Sequence, residues 1–104
     1  MANLTVTPQN FEDASAALAG DDDRKIGNDT WMIRDWDGAI VVQLHGNGIV
    51  RYTQGGVEVN WCGYVGTTTA DRLNQLAPGR YNRKQGQALH NGDPMPSDRW
   101  YQVA

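Results

Sequence analysis

The sequence predicts an α+β fold. It consists of a strongly bent antiparallel sheet, or a small, partly open barrel, of five to six strands. A short helix lies between strands four and five, and a second helix lies at the N-terminus. Three observations predict it. Glycine takes 12 of 104 positions, which favours many tight turns and so short strands over long helices. From Thr30 the side chains alternate with a period of two, broken by turn signals at regular spacing, as in an antiparallel meander. The run from Val57 to Tyr64 then leads through Gly66-Thr67-Thr68-Thr69 into an amphipathic stretch.

Residues 8–19 read as the N-terminal helix. Thr7 is the expected cap, Pro8 fits the first helical position, and Glu12 and Asp13 sit early, where the helix dipole favours acids. Phe11, Ala14, Ser15 and Leu18 form its apolar stripe and Gly20 its stop. The stripe is thin, so weak docking is expected. Residues 1–27 form a separable helix and acidic loop, and 28–104 the strand-rich domain. Residues 21–29 read as a polar linker. Asp21 and Asp23 have the spacing of the first two ligands of a calcium loop. However, Lys25 stands where the third ligand belongs and Ile26 where the turn glycine belongs.

In the first strand Trp31, Ile33 and Asp35 alternate with Met32 and Arg34. Asp37-Gly38 signals a type I′ hairpin turn. Ile40, Val42 and Leu44 share one face of the next strand, with Ala39, Val41, Gln43 and His45 on the other. Gly46-Asn47-Gly48 is the next turn, residues 49–53 the third strand, and Gln54-Gly55-Gly56 a further turn. In the fourth strand Val57, Val59 and Trp61 oppose Glu58, Asn60 and Cys62. The helix covers 69–77, with Ala70, Leu73, Leu76 and Ala77 facing the core and Pro78-Gly79 ending it. Thr68 and Asp71 have capping-box spacing. One strand surrounds Tyr81 and continues toward Leu89, residues 90–98 are a loop, and residues 99–103 make the last strand.

Net charge is −3. Residues 1–48 carry eight acids against three bases, and residues 49–104 carry six bases against four acids. The second half is only mildly basic, less than strong nonspecific nucleic-acid binding requires. No apolar run approaches the roughly 18 residues that span a bilayer, so no membrane association is expected. The N-terminal residues lack a basic start and an apolar h-region, so no signal peptide is expected. The single cysteine, Cys62, excludes an internal disulfide and suits a reducing cytoplasm.

The stretch from about His45 to Val103 resembles a type of small protein encoded by tailed bacteriophages. The matching residues are His45-Gly46-Asn47, Ile49, Thr67-Thr68-Thr69, Arg72-Leu73-Asn74, Tyr81 and Trp100-Tyr101-Gln102-Val103. Gly63 departs from the pattern in being followed by Tyr64 rather than Trp, with Trp61 displaced upstream. The resemblance covers just over half the chain. It implies a phage gene product acting in the host bacterial cytoplasm and carries no activity with it.

Candidate chemistry is sparse. Thr67, Thr68, Thr69, Arg72 and Asn74 suit an anion site at a helix start. The simpler reading, adopted here, makes these residues and Asp71 a structural cap. There is no glycine-rich phosphate loop with lysine. His45 and Cys62 can form a thiolate–imidazole pair only if the cysteine is activated, and a lone strand cysteine is ordinarily a small hydrophobe. His45, His90 and Cys62 lack the paired spacing of a zinc site, so neither metal nor cofactor is expected. Trp36 stands beside a turn, flanked by Asp35 and Asp37, where a core role is hard to justify. Trp61 and Trp100 fit core positions. Tyr52 alternates with Arg51, a pairing that can stack bases or anchor an interface. The expectation is a non-enzymatic phage accessory protein that binds a host or phage protein through Trp36, Asp35, Asp37, Arg51 and Tyr52. The alternative is a small-barrel protein that binds single-stranded nucleic acid through Arg51, Tyr52, Arg80, Arg83 and Lys84.

Overall fold

The computed structural model describes residues 4–104 and has the expected α+β character. Its elements are α1 (Phe11–Leu18), β1 (Asp23–Gly27), β2 (Thr30–Arg34), β3 (Ile40–Leu44), β4 (Asn47–Thr53), β5 (Gly56–Val59), α2 (Thr67–Leu76), β6 (Tyr81–Lys84), β7 (Gln87–His90), β8 (Asp93–Pro94) and β9 (Tyr101–Gln102). Six strands form one open antiparallel sheet in the order β1-β2-β3-β4-β5-β9, so the sheet does not close on itself. Strands β6, β7 and β8 form a second, small sheet.

Strand β1 corrects the expected linker at 21–29. Its side chains do not alternate, because Asp23, Arg24 and Lys25 are all exposed and only Ile26 is buried. Backbone pairing with β2 makes it a strand, and the side-chain pattern carries no trace of that. The helix expected between strands four and five therefore lies between β5 and β6. The proposed boundary at 27/28 runs through the β1–β2 hairpin. Thr5 N–H also donates to Ile26 O at 2.8 Å, and Arg34 N–H to Asp22 O at 2.8 Å. Among the described residues, the segment before residue 28 is thus hydrogen-bonded into the sheet.

Three hairpin turns share one device. In His45-Gly46, Gln85-Gly86 and Asn91-Gly92 both residues have positive φ, and each pair joins directly opposed strand residues. This is the two-residue type I′ geometry, whose twist matches that of the flanking strands. His45 therefore belongs to the turn and not to a strand face. The segment from Tyr81 to Leu89 is a hairpin and not one strand, and part of the expected 90–98 loop pairs as β8. At Asp37-Gly38 only Gly38 has positive φ, and Gly38 N–H donates to Asp35 O. The hairpin is present there, but its turn is not type I′.

One side of the large sheet holds the core. Met32, Val42, Val50 and Val59 are paired across successive strands and fully buried, as are Ile40 and Tyr52, with Val57 nearly so. Both helices pack on this side through Ala14, Leu18, Leu73 and Leu76. A fully buried aliphatic side chain contributes about 1.5–3 kcal/mol, so α1 is held more firmly than a thin stripe suggests. Asn10, not Thr7, caps α1, its Oδ1 accepting Asp13 N–H at 2.8 Å. Trp61 is fully buried as expected, its Nε1–H directed at Met95 Sδ at 3.3 Å.

Candidate functional site

The face of the large sheet turned away from the helices is fixed by register, because opposed residues share a face. Ile33, Val41, Arg51, Glu58 and Gln102 form one outward row, and Lys25, Trp31, Gln43 and Gly48 form a second. Gly48 enters this face through a β-bulge, which also explains why Ile49 and Val50 are both buried. Trp100 lies across Gly48. A Cβ there would sit 3.4 Å from its ring and 3.0 Å from Val41 Cγ1, so the absence of a side chain lets the indole lie close against the strand. Trp100 is thus a half-exposed cover of the outer face, not the core residue alternation suggests. Ile33, Asp35, Val41, Gln43, Arg51 and Trp100 line a groove of about 200 Å³ on this face.

Trp36 stands at the tip of the β2–β3 turn with 93% of its surface exposed. The turn beneath it is stiffened by its acidic neighbours. Trp36 N–H donates to Asp35 Oδ1 at 2.9 Å, and Ala39 N–H donates to Asp37 Oδ1 at 3.0 Å. The Ala39 bond, followed by the nearby Arg51 guanidinium, holds the Asp37 carboxyl below its ordinary range. Arg51 pairs with both Asp37 and Glu58, the latter at 2.9 Å. Asp35, Trp36, Asp37 and Arg51 are therefore brought together at one edge of the outer face.

Tyr52 does not join them. It is fully buried, and its hydroxyl donates to Pro8 O at 3.0 Å and more closely to Leu76 O. Strand alternation decides this: with Arg51 facing out, its neighbour must face the core. Burial pushes the Tyr52 hydroxyl far above its usual pKa. The expected Arg51–Tyr52 stacking pair is thereby corrected. One member is inside the protein and the other is committed to two carboxylates.

The expected cap of α2 also differs. Gly66 is the N-cap, and no side chain caps the helix. Thr67, Thr68 and Thr69 are themselves the first helical residues, which leaves Thr68 and Asp71 two positions too far into the helix to form a capping box. Arg72 is buried, and its Nε–H donates to Thr30 Oγ1 at 3.2 Å, tying α2 to β2. Asn74 bonds both main-chain groups of Tyr81 at 2.7 Å and so fixes the start of β6. The helix thus uses Arg72 and Asn74 to hold other elements and leaves its own start open.

That open start borders a cavity of about 630 Å³. The β3–β4 hairpin supplies Leu44, His45, Asn47 and Ile49, the connection out of β5 supplies Trp61, Cys62, Tyr64, Val65 and Gly66, and α2 supplies its three threonines. Sequence reasoning missed this pocket, since the pairing of β4 with β5, extended by Asn60 N–H donating to Ile49 O, is what brings residues 44–49 beside residues 61–69. His45 and Cys62 both line it without pairing. His45 Nδ1 lies 3.3 Å from Asp29 Oδ2, and the Cys62 thiol donates to Gly48 O at 3.1 Å. Burial raises the Cys62 pKa, which keeps it a thiol and a poor nucleophile.

Among the described residues no three His, Cys, Asp or Glu side chains gather as a metal site, and no helix is long and apolar enough to cross a membrane. A family model described as the Kyanoviridae Gp96 protein matches residues 8–102. No curated protein and no solved structure matches the chain.

Proposed function

We propose that the chain, which belongs to the Kyanoviridae Gp96 protein family and is a phage protein, is a non-enzymatic accessory protein that binds a host or phage protein in the host bacterial cytoplasm. The observation that carries the reading is Trp36, almost wholly exposed on a hydrogen-bonded turn. Exposing a rigid indole to water gains the fold nothing, whereas such side chains dominate binding energy when a partner covers them. Trp31, Ile33, Val41 and Trp100 extend apolar surface behind it across the outer sheet face. Asp35 and Asp37 beside Trp36 favour a partner with a basic rim and oppose nucleic-acid phosphates.

The test is capture of a partner from infected host cells with the wild-type chain and with Trp36→Ala, followed by calorimetry on the purified pair. Trp36→Ala is expected to weaken binding by about 30-fold, the effect of losing an anchor worth roughly 2 kcal/mol. Its melting temperature should stay within about 1 °C of wild type, since no packing is lost. The opposing result is micromolar oligonucleotide binding at physiological salt, lost on Arg80→Ala or Arg83→Ala and untouched by Trp36→Ala. That result would replace the protein partner with single-stranded nucleic acid.

A further inference from the structure

Building on the protein-binding reading above, we infer that the groove on the outer sheet face seats an arginine side chain of the partner. The groove measures about 200 Å³ and is lined by Ile33, Asp35, Val41, Gln43, Arg51 and Trp100. Pockets for small organic ligands begin at about 300 Å³, so this one suits a single long side chain. Its walls are accessible. Trp100 keeps 37% of its surface exposed, and Ile33, Asp35, Val41 and Gln43 are half-buried.

Charge selects the class of side chain. Register places Asp23 and Glu58 in the outward row with Ile33, Val41 and Arg51, and the β2–β3 turn adds Asp35 and Asp37. Against these four acids the face carries Lys25 and Arg51, while Arg99, next to Trp100, is paired with Asp98. Arg51 lies in the groove itself, but its guanidinium is taken up by Asp37 and Glu58. Asp35 is the carboxylate left over. Its Oδ1 accepts Trp36 N–H at 2.9 Å, and it makes no ion pair among the described residues. A cation entering the groove finds its counter-charge there, whereas a phosphate meets an excess of negative charge.

Shape separates arginine from lysine. Trp100 supplies an aromatic wall, Asp35 a carboxylate, and Gln43 a side-chain amide with no hydrogen-bond partner among the described residues. A guanidinium is flat, stacks on an indole and carries its N–H donors in a fixed fork, so it serves wall, carboxylate and amide oxygen together. The ammonium of lysine is a compact point charge without that fork. An apolar side chain would desolvate Asp35 and give it no partner. Trp36 stands on the adjoining turn and does not line the groove, so the two contacts are separable by mutation.

The experiment is a ¹H–¹⁵N NMR titration of the full chain with the end-blocked tripeptides Gly-Arg-Gly, Gly-Lys-Gly and Gly-Leu-Gly. Gly-Arg-Gly should shift the Trp100 indole N–H, the Gln43 side-chain amide and the Asp35 amide, with a Kd on the order of 1 mM. Gly-Lys-Gly should bind about fivefold more weakly, and Gly-Leu-Gly should leave these signals unmoved. Asp35→Asn keeps an oxygen for Trp36 N–H, and with it the turn, but should weaken Gly-Arg-Gly binding by about fivefold. Trp100→Leu should weaken it by about threefold, and Trp36→Ala should leave it unchanged. Unmoved signals at Trp100 and Asp35 up to about 20 mM Gly-Arg-Gly overturn the arginine site. So do equal affinities for the arginine and lysine peptides, or affinity unchanged in Asp35→Asn. Those results leave the protein-binding reading standing, because capture of a partner through Trp36 tests it separately. Failed capture with Gly-Arg-Gly still held by Asp35 and Trp100 would end that reading and keep the arginine site.

Discussion

Replacing Tyr52 by Phe removes one oxygen from the centre of the protein. Tyr52 is fully buried, and its hydroxyl joins Pro8 O, at the N-terminal side of α1, to Leu76 O, on the last residue of α2. The Leu76 carbonyl is one of the four that a helix end leaves unpaired, so the hydroxyl satisfies a group that nothing within α2 can. Phe keeps the ring and its packing, which makes the cavity contribution small. What remains is the cost of stranding a buried carbonyl, about 1–3 kcal/mol. For a domain of this size each kcal/mol moves the melting temperature by roughly 4–8 °C, so a fall of about 4–24 °C is expected. The urea midpoint should fall with an unchanged slope. Alkaline titration adds a second readout. Burial, followed by the negative charge of Asp13, raises the Tyr52 pKa above its usual 10.0. The folded state therefore holds a proton that the unfolded chain releases near pH 10. This stabilisation is complete below pH 10 and is lost as pH climbs above it. The gap between wild type and Tyr52→Phe should narrow from pH 9 to 11. Tyr81 is also raised by burial, but it is present in both proteins and cancels. A variant that melts with the wild type, or a gap that does not change with pH, refutes the reasoning.

Other expectations follow from the same geometry. Thr68→Ala and Asp71→Ala should each change stability by less than about 0.5 kcal/mol, because neither side chain caps α2; a loss above about 1 kcal/mol in chemical denaturation would reinstate the capping box. Deleting residues 1–27 should yield an unfolded chain by circular dichroism. It removes Ala14, Leu18 and Ile26 from the core and strips β2 of its outer neighbour, and a cooperative melt of the fragment would contradict this. Cys62 should react with a thiol reagent at pH 8 about tenfold more slowly than free cysteine, with denaturant restoring the rate. Equal rates in the native protein would mean that the thiol is neither shielded nor raised.

The sequence by itself determined the parts of this protein whose signal is local. Alternation grouped Ile40, Val42 and Leu44 on one face of their strand and Val57 and Val59 on one face with Trp61, which it set in the core. Helical spacing placed Ala70, Leu73 and Leu76 there too, and all nine are buried. The turn beside Trp36 told against a core role for that residue, and its indole is exposed. Tertiary structure decided the rest, because long-range backbone pairing leaves no mark on side-chain order. Asp23-Arg24-Lys25 is a strand only because β2 lies beside it. Trp100 leaves the core because the pairing of Val59 with Tyr101 sends Trp100 and Gln102 to the outer face, where the indole lies against Gly48. Tyr52 and Arg51 are adjacent in sequence, yet one faces Leu76 and the other Asp37, since a strand sends neighbours to opposite sides of the sheet. The start of α2 looked capped because the right residue types stand three apart. It is open because the helix is capped two residues earlier, at Gly66, and a two-residue shift turns a helix by about 200° and carries the Thr68 and Asp71 side chains away from the capping positions.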